Sequence, residues 1–321
     1  MFFRSLLVLR CATKSGYFTR RFFSQKLRFC TGPRDPSIMS KVQGEGLSSF
    51  VTLNDGRKMP LFGLGVFRLE TGCEDVCLFA LKNGYRMLDT ADIYQNEKEV
   101  GSAVRKSGLK REDIYVTTKL KPSEEGHSNA LKYAKESIKK LDIGYVDLFL
   151  IHTPRPGNII AAYDALLTLK EEGLIRSVGV SNFGVHHLEE LRKAGCRTPA
   201  INQIEINPFW RQEEIIKYCN KHGITVEGYA PVFRGCKFDH PVLVEMSERY
   251  GKTVAQIMIR WSVQKQYITI PKSSNPERIL ENAQVFDFVI SEKDMKNLET
   301  FPAERCCFHP NEDPTSLPWR G

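Results

Sequence analysis

Four polar residues follow or end apolar, strand-like runs in this sequence, and their types suit proton transfer. Asp89 and Tyr94 lie in MLDTADIYQNE (87–97), Lys119 lies in VTTKL (116–120), and His152 lies in LFLIHTP (148–154). A free phenol titrates near a pKa of about 10, so it is a weak proton donor at neutral pH unless a cation lies beside it. A lysine can supply that charge, and a carboxylate can hold the lysine in place. Brought together, these groups would form a proton donor of adjustable strength.

Each of the four residues also has an ordinary structural role open to it. Asp89 alone suits a turn or a helix cap, and Tyr94 alone suits packing at a rim. Lys119 alone suits a surface charge, and His152 alone suits a hydrogen-bonded core position. Because buried charges persist mainly when they are paired or functional, the combination favours the catalytic interpretation.

The elements that must position these residues begin near residue 50. FVTLNDGRKMPLF (50–62) predicts an N-terminal β-hairpin with its turn at Asn54, Asp55 and Gly56. Asn96 and Glu99 have capping-box spacing at the start of an amphipathic helix. Eight strands are predicted in all, over residues 62–66, 86–89, 114–118, 146–151, 177–180, 201–205, 225–229 and 268–270. Eight helices are predicted between and after them, over residues 74–82, 97–106, 128–140, 161–172, 185–194, 212–222, 253–265 and 275–283.

The alternation of strands and helices implies parallel pairing. It predicts an α/β fold, a (β/α)8 TIM barrel with the N-terminal hairpin, as one domain over residues 50–321. A doubly wound open sheet is the alternative, but it usually carries a GxGxxG turn that GLGVFRLETG (63–72) does not supply. In a barrel, catalytic groups lie at the C-terminal ends of the strands, which is where the four polar residues fall.

Composition narrows the classes of function. The chain has 321 residues, of which 41% are hydrophobic and 26% charged, enough for a large core. Because no apolar run approaches the ~18 residues that span a bilayer, we expect no membrane span. The nine cysteines are scattered without CxxC or Cys/His spacing, so we expect reduced thiols and no metal site. A redox role for the adjacent Cys306 and Cys307 is not favoured.

The net charge of +8 belongs to the N-terminal segment. Residues 1–34 hold eight of the 46 Lys and Arg and no acid, which leaves 38 basic and 38 acidic residues elsewhere. The folded body is therefore not expected to bind nucleic acid. Residues 1–45 are rich in Arg, hydroxyl and aromatic residues and are predicted to be a mitochondrial transit peptide or a disordered leader. Translation from Met39 would instead give a cytoplasmic protein.

Six separated segments resemble the aldo-keto reductase family, in the family's order, between about residues 50 and 312. The resemblance implies NADPH-dependent reduction of aldehydes and ketones, with Tyr94 as general acid, Lys119 and Asp89 as its assistants, and His152 orienting the carbonyl. Within the family, the chain is similar to short-looped members such as glyoxal reductases and protozoan prostaglandin F synthases. The segments are GYRMLDTADIYQNEKEVG (84–101), VTTKL, LIHTP, SVGVSNF (177–183), INQIEINP (201–208) and IPKSSNPERILEN (270–282).

The same resemblance implies a cofactor site. Ser181, Asn182 and Gln203 would hydrogen-bond the nicotinamide carboxamide, and Tyr229 would stack on the nicotinamide ring. Ser181 or Asn182 could also cap the helix predicted over 185–194. Two cations and a hydroxyl suit a phosphomonoester, which favours NADPH over NADH. The positions that match contacts to the 2′-phosphate are Lys272, Ser273 and Arg278, and those that match contacts to the adenosine are Glu281 and Asn282.

The substrate pocket departs from the family's pattern. Ala230 stands where relatives commonly have a serine that contacts the pyrophosphate, with Arg234 nearby. Thr153 and Lys121–Pro122 replace aromatic walls. Besides His152, the expected substrate contacts are Phe67 and Trp210, although such residues more often serve packing.

Short loops after His152 and Tyr229 favour a small carbonyl substrate, and we expect a monomer. Two other functions stay open. One is a catalytically weak NADPH-binding barrel that acts as a sensor or partner subunit, which a broken set of four residues would indicate. The other is a lyase or isomerase with Lys119 as a Schiff-base nucleophile, against which Asp89 and Tyr94 argue.

Overall fold

The computed structural model describes residues 42–120, 126–155, 157–308 and 313–319. The predicted leader lies almost wholly outside these residues, as do Met39 and Lys121–Pro122. Among the described helices, none is both long and apolar enough to cross a membrane.

The predicted hairpin is confirmed. Strands β2 (Phe50–Thr52) and β3 (Lys58–Pro60) pair antiparallel, and the Leu53 N–H donates to the Arg57 carbonyl at 2.8 Å. A short strand that the sequence did not predict, β1 (Val42–Gln43), adds to β2. Asp55 in the turn accepts hydrogen bonds from Lys170 (2.7 Å) and Ser177 (2.8 Å), which fixes the hairpin against the N-terminal end of the barrel.

Eight parallel strands form the barrel, in sequential order. Four of them have the predicted bounds, and the others differ by a few residues at one or both ends. Hydrogen bonds from Gly63 to the Thr269 carbonyl and from Gly65 to the Pro271 carbonyl, both 3.1 Å, join the first strand to the last and close the barrel. The strands are β4 (Leu64–Gly65), β5 (Met87–Asp89), β6 (Tyr115–Leu120), β7 (Val146–Ile151), β8 (Ile175–Ser181), β9 (Ile201–Glu205), β10 (Thr225–Tyr229) and β11 (Ile268–Ile270).

Ten α-helices occur in the described part of the chain, and eight of them are the predicted ones, with bounds that differ by two residues at most. The two that were missed begin with ordinary start signals, since Pro241 opens one and the Ser291 side chain caps the other. The helices are α1 (Cys73–Lys82), α2 (Glu97–Lys106), α3 (His127–Leu141), α4 (Ile159–Glu171), α5 (Val185–Lys193), α6 (Glu213–Lys221), α7 (Pro241–Tyr250), α8 (Val254–Gln264), α9 (Pro276–Ala283) and α10 (Glu292–Glu299).

The expected capping box at α2 is wrong. The Asn96 side chain makes no cap hydrogen bond. Its amide donates instead to the carbonyls of Val66 (3.0 Å) and Leu69 (3.3 Å), and its oxygen accepts from Thr90 Oγ1 at 2.6 Å. Asn96 therefore ties the loop after β4 to the end of β5, next to the candidate site.

Polar residues continue into the barrel interior below the mouth. Side chains alternate between the two faces of a strand, so Gln203 and Glu205 share one face of β9, and Glu227 and Tyr229 share one face of β10. The strand register places Gln203 opposite Glu227, and Glu205 opposite Tyr229 one step nearer the C-terminal end. Gln203, Glu205 and Glu227 are all buried.

Candidate active site

Asp89 and Lys119 form a buried ion pair at the C-terminal ends of β5 and β6. Lys119 Nζ lies 2.5 Å from Asp89 Oδ1, and the two residues are 1% and 3% exposed. Lys119 also donates to the Thr90 carbonyl at 2.9 Å. Burial alone would lower the pKa of Lys119, but the charge and hydrogen bond of Asp89 outweigh this effect and raise it. Lys119 is therefore a fixed cation at neutral pH.

The Tyr94 hydroxyl lies 3.4 Å from Lys119 Nζ. Tyr94 ends a short 3-10 helix (Asp92–Tyr94) that begins three residues after β5, and Lys140 holds that helix through a 2.6 Å contact with Asp92. Burial raises the pKa of the Tyr94 phenol, and the Lys119 charge opposes the rise. The resting tyrosine is therefore protonated, and the lysine reduces the cost of losing that proton.

His152 lies beside Tyr94, directly after β7. The two rings meet edge to face, with centroids 5.7 Å apart. Burial and the Lys119 charge lower the pKa of His152 to about 3, so the imidazole is neutral at physiological pH. Its Nδ1 is buried without a hydrogen-bond partner among the described residues. A neutral ring with one nitrogen unengaged can donate or accept one more hydrogen bond.

A second buried carboxyl, that of Glu227, is linked to Asp89 through Gln203, and it was not predicted from the sequence. Gln203 Nε2 donates to Asp89 Oδ2 at 2.7 Å and to Glu227 Oε2 at 3.0 Å. Burial and the Asp89 charge raise the pKa of Glu227 to about 8. Strand alternation gives the signal that could have found Glu227, because it precedes Tyr229 by two positions and so shares its face.

The residues expected around the nicotinamide form one hydrogen-bonded set. Asn182 donates to the His152 carbonyl (2.9 Å) and to Ser181 Oγ (3.0 Å), and its oxygen accepts from the Tyr229 hydroxyl at 2.6 Å. Ser181 Oγ donates to the Gln203 carbonyl at 2.8 Å. The suggested helix-capping role for Ser181 or Asn182 is wrong, because the N-cap of α5 is Gly184. Asn182 has a φ of 64°, a left-handed conformation that asparagine tolerates better than most residues.

These contacts limit what each side chain can offer a carboxamide. Both amide protons of Gln203 and both of Asn182 are already engaged. The remaining capacity consists mainly of acceptors: Gln203 Oε1, a second lone pair on Asn182 Oδ1 and one on Ser181 Oγ. An amide NH₂ group is the ligand that such a set fits.

The segment after β11 presents the predicted phosphate-binding residues. Lys272 and Arg278 are exposed, and Ser273 is buried, where its hydroxyl accepts from the Asn275 N–H at 3.1 Å. No ion pair involves either cation within the described ranges of the chain. Of the residues expected at the adenosine, Glu281 accepts from Thr253 Oγ1 at 2.8 Å, and Asn282 is buried.

The expected walls of the substrate pocket, Phe67 and Trp210, contact different partners. The Phe67 ring packs on Tyr94 with centroids 5.0 Å apart, and Phe67 is 39% exposed, so it lines the mouth. The Trp210 ring lies 4.6 Å from the guanidinium of Arg305 in the C-terminal tail. Thr153 is half-buried, and Ala230 has a left-handed φ of 52°. Arg234 is exposed at this loop.

A separate cavity of about 510 Å³ lies at the N-terminal end of the barrel. Its lining includes Asp55 of the hairpin turn, Tyr163, Lys170 and Arg197. None of the four residues at the mouth lines it, so it plays no part in the chemistry of the candidate site.

Comparison with known proteins identifies the family of this chain. A sequence profile of the aldo/keto reductase family matches residues 73–302, which cover the barrel from α1 to the end of α10. The chain belongs to the aldo-keto reductase family, and the relatives it resembles are oxidoreductases.

Three relatives illustrate the similarity. A glyoxal reductase of Bacillus subtilis is 42% identical over 255 residues, which cover 79% of this chain and 92% of the relative. A 9,11-endoperoxide prostaglandin H2 reductase of Trypanosoma cruzi is 39% identical over 254 residues, covering 78% and 90%. The crystal structure of a Bombyx mori aldo-keto reductase in complex with NADP superposes with a TM-score of 0.74 at 31% identity, covering 81% and 94%. The expected family and the TIM-barrel fold are confirmed.

Proposed function

We propose that this protein reduces aldehydes or ketones to alcohols with NADPH as the hydride donor. The observation that carries the proposal is the position of Lys119 Nζ, 2.5 Å from Asp89 Oδ1 and 3.4 Å from the Tyr94 hydroxyl. A cation held by a carboxylate beside a phenol is the arrangement that lowers the cost of phenolate formation.

The residues at the mouth fit the cofactor. When bound, NADPH supplies the hydride that reduces the carbonyl carbon. The acceptor-rich set of Ser181, Asn182 and Gln203 suits the carboxamide NH₂ group. Lys272 and Arg278 suit the 2′-phosphate, because two exposed cations bind a phosphomonoester through charge-assisted hydrogen bonds. The NADP-bound structure of the Bombyx mori relative supports the same cofactor.

The proton comes from Tyr94. Its hydroxyl donates to the carbonyl oxygen as negative charge develops there, and Lys119 stabilises the phenolate that remains. Asp89 keeps Lys119 charged and in place. Neutral His152 donates a hydrogen bond to the same oxygen and orients the substrate, since its low pKa keeps it from becoming a competing acid.

Small carbonyl compounds are the proposed substrate class. Strand β7 ends at Ile151 and α4 begins at Ile159, so the loop that carries His152 is short. Loops at this face of a barrel set substrate choice, and short loops leave a shallow, open site. The similarity to a glyoxal reductase supports dicarbonyl substrates. Turnover of a bulky steroid ketone without turnover of methylglyoxal or small aromatic aldehydes would overturn this choice.

The test is NADPH consumption across a panel of carbonyl compounds for the wild type and Tyr94→Phe. Loss of the general acid should lower kcat by about 100-fold or more, while NADPH affinity stays the same. Tyr145→Phe is the matched control, because the Tyr145 ring packs against Arg111 and Arg176 at the other end of the barrel. Near-wild-type turnover by Tyr94→Phe would refute the mechanism.

A further inference from the structure

The C-terminal tail brings two adjacent cysteines onto a buried carboxylate at the barrel mouth. Glu205 ends β9 and has no measurable exposure. Its Oε1 accepts from the Cys306 N–H at 2.9 Å, but its Oε2 is buried without a hydrogen-bond partner among the described residues. An unsatisfied buried carboxylate oxygen is costly, so a ligand that satisfied it would stabilise this part of the fold.

We propose that Glu205, Cys306 and Cys307 form a binding site for a thiophilic divalent cation, with Zn²⁺ as the type. One carboxylate oxygen and the two sulfurs lie within 4.8 Å of one another. The site departs from the sequence expectation of no metal. Sequence spacing does not reveal it, because 101 positions separate Glu205 from Cys306.

The sulfur positions suit tetrahedral coordination. Zn–S bonds of about 2.3 Å at the tetrahedral angle place two thiolates about 3.8 Å apart. Cys306 Sγ and Cys307 Sγ are 3.6 Å apart. A carboxylate oxygen at about 2.0 Å from the metal would lie about 3.5 Å from each sulfur. Because the three ligand atoms already lie within 4.8 Å of one another, side-chain shifts of about 1 Å complete the geometry.

The ligand chemistry selects the class of cation. Two thiolates favour Zn²⁺ and other soft metals over Mg²⁺ or Ca²⁺, which prefer all-oxygen sites. Three protein ligands leave the fourth position of a tetrahedral metal open. The nearby Arg305 is a positive charge that would oppose a cation, but it is engaged in an ion pair with Asp313.

Contacts of the residues just before the two cysteines hold the tail in place. The Glu304 N–H donates to the Phe209 carbonyl at 2.8 Å, and Lys237 pairs with the Glu304 carboxylate at 2.6 Å. Arg211 holds the tail further back, through the Phe301 carbonyl at 2.9 Å. The cysteines are therefore positioned over Glu205 before any ligand arrives.

The site adjoins the proposed proton donor. Cys307 lies close enough to Tyr94 and Tyr229 to interact electrostatically with both hydroxyls. A cation held there would occupy the rim where a carbonyl substrate enters. Zn²⁺ should consequently inhibit reduction, a consequence that rests on the proposed function, whereas binding itself does not.

The experiment titrates the reduced, full-length protein with Co²⁺, whose thiolate charge-transfer absorption reports sulfur ligation without any assay of activity. We expect one Co²⁺ per chain, displaced by Zn²⁺. Cys306→Ser and Cys307→Ser should each weaken binding at least about tenfold, given that even outer-shell changes at metal sites cost about that much. Glu205→Gln should weaken binding but keep the charge-transfer band. Cys236→Ser, at an exposed cysteine, is the matched control.

Circular dichroism and thermal unfolding establish whether each variant is folded. If a serine variant does not fold, the Co²⁺ affinity of Glu205→Gln still tests the site. Absence of charge-transfer absorption in the wild type would overturn the proposal. So would unchanged Co²⁺ binding in the two serine variants, because the metal would then occupy other thiols. Co²⁺ binding by a protein that reduces no carbonyl compound would leave this site intact and refute only the proposed function.

Discussion

The side-chain amide of Gln203 donates to Asp89 Oδ2 over 2.7 Å, from β9 to β5 across the barrel. Asp89 thus lies between two partners, since its other oxygen binds Lys119. The residue expected to bind the nicotinamide carboxamide is therefore bonded directly to the carboxylate that fixes the lysine. The proposed carboxamide contact and the proposed proton donor are therefore linked through one continuous group of hydrogen-bonded side chains.

The Asp89–Lys119 pair should contribute to stability and to catalysis in separable ways. Lys119→Met leaves Asp89 as a buried, unpaired carboxylate, and removing one partner of such a pair costs about 3–5 kcal/mol of unfolding free energy. The double variant Lys119→Met with Asp89→Leu removes both charges and should recover most of that loss, yet remain inactive. Urea unfolding and NADPH turnover of the three proteins test this. Equal stability of the single and double variants would contradict it.

Glu227 should make the stability of the protein depend on pH. Its folded pKa of about 8 exceeds the ordinary 4.5, so the folded chain keeps a proton that the unfolded chain has lost. The contribution is fully present below about pH 4.5 and is lost as pH rises to about 8, at up to about 1.4 kcal/mol per pH unit. Glu227→Gln does not titrate, so it lacks this loss. Its free energy of unfolding, relative to that of the wild type, should therefore rise across that window.

Thermal unfolding of the wild type and Glu227→Gln at a series of pH values measures the difference. The exposed Glu214→Gln provides the control and should track the wild type throughout. A stability difference that stayed constant with pH would show that Glu227 is charged in the folded protein.

Much of the fold was predictable, because each strand and helix of the barrel has its own local signal. Apolar runs predicted the first and last residues of β7, β9, β10 and β11 correctly. The missed contacts depend on tertiary structure instead. Asn96 has the spacing of a helix cap, yet its side-chain oxygen accepts from Thr90 Oγ1 and not from the backbone of α2.

The same distinction holds at the site. Asp89, Tyr94, Lys119 and His152 were predictable because each follows or ends a strand, and they do converge. The Trp210 ring contacts the guanidinium of Arg305, whose position depends on how the tail folds back. Sequence spacing carries no information about such long-range packing.

Carbonyl reduction should be insensitive to pH over a wide range. His152 is neutral above a pKa of about 3. Burial raises the pKa of Tyr94 above its ordinary 10.0, so the general acid stays protonated at neutral and mildly alkaline pH and loses its proton only as pH rises beyond that. We expect a kcat that is flat from about pH 5 through mildly alkaline pH and falls only above about pH 10, the ordinary pKa of a phenol. Initial rates at saturating substrate test this, and an inflection near pH 6.5 would implicate a solvated histidine.

The choice between NADPH and NADH should depend on the segment after β11. Lys272→Ala with Arg278→Ala removes two exposed cations that the 2′-phosphate would contact, and each charge-assisted hydrogen bond is worth about 1.5–3 kcal/mol. NADPH should therefore bind at least about 100-fold more weakly, while NADH, which lacks the phosphate, changes little. Fluorescence titration with both cofactors measures the two affinities, and Lys293→Ala on the surface of α10 is the matched control. Equal losses for NADPH and NADH would place the 2′-phosphate elsewhere.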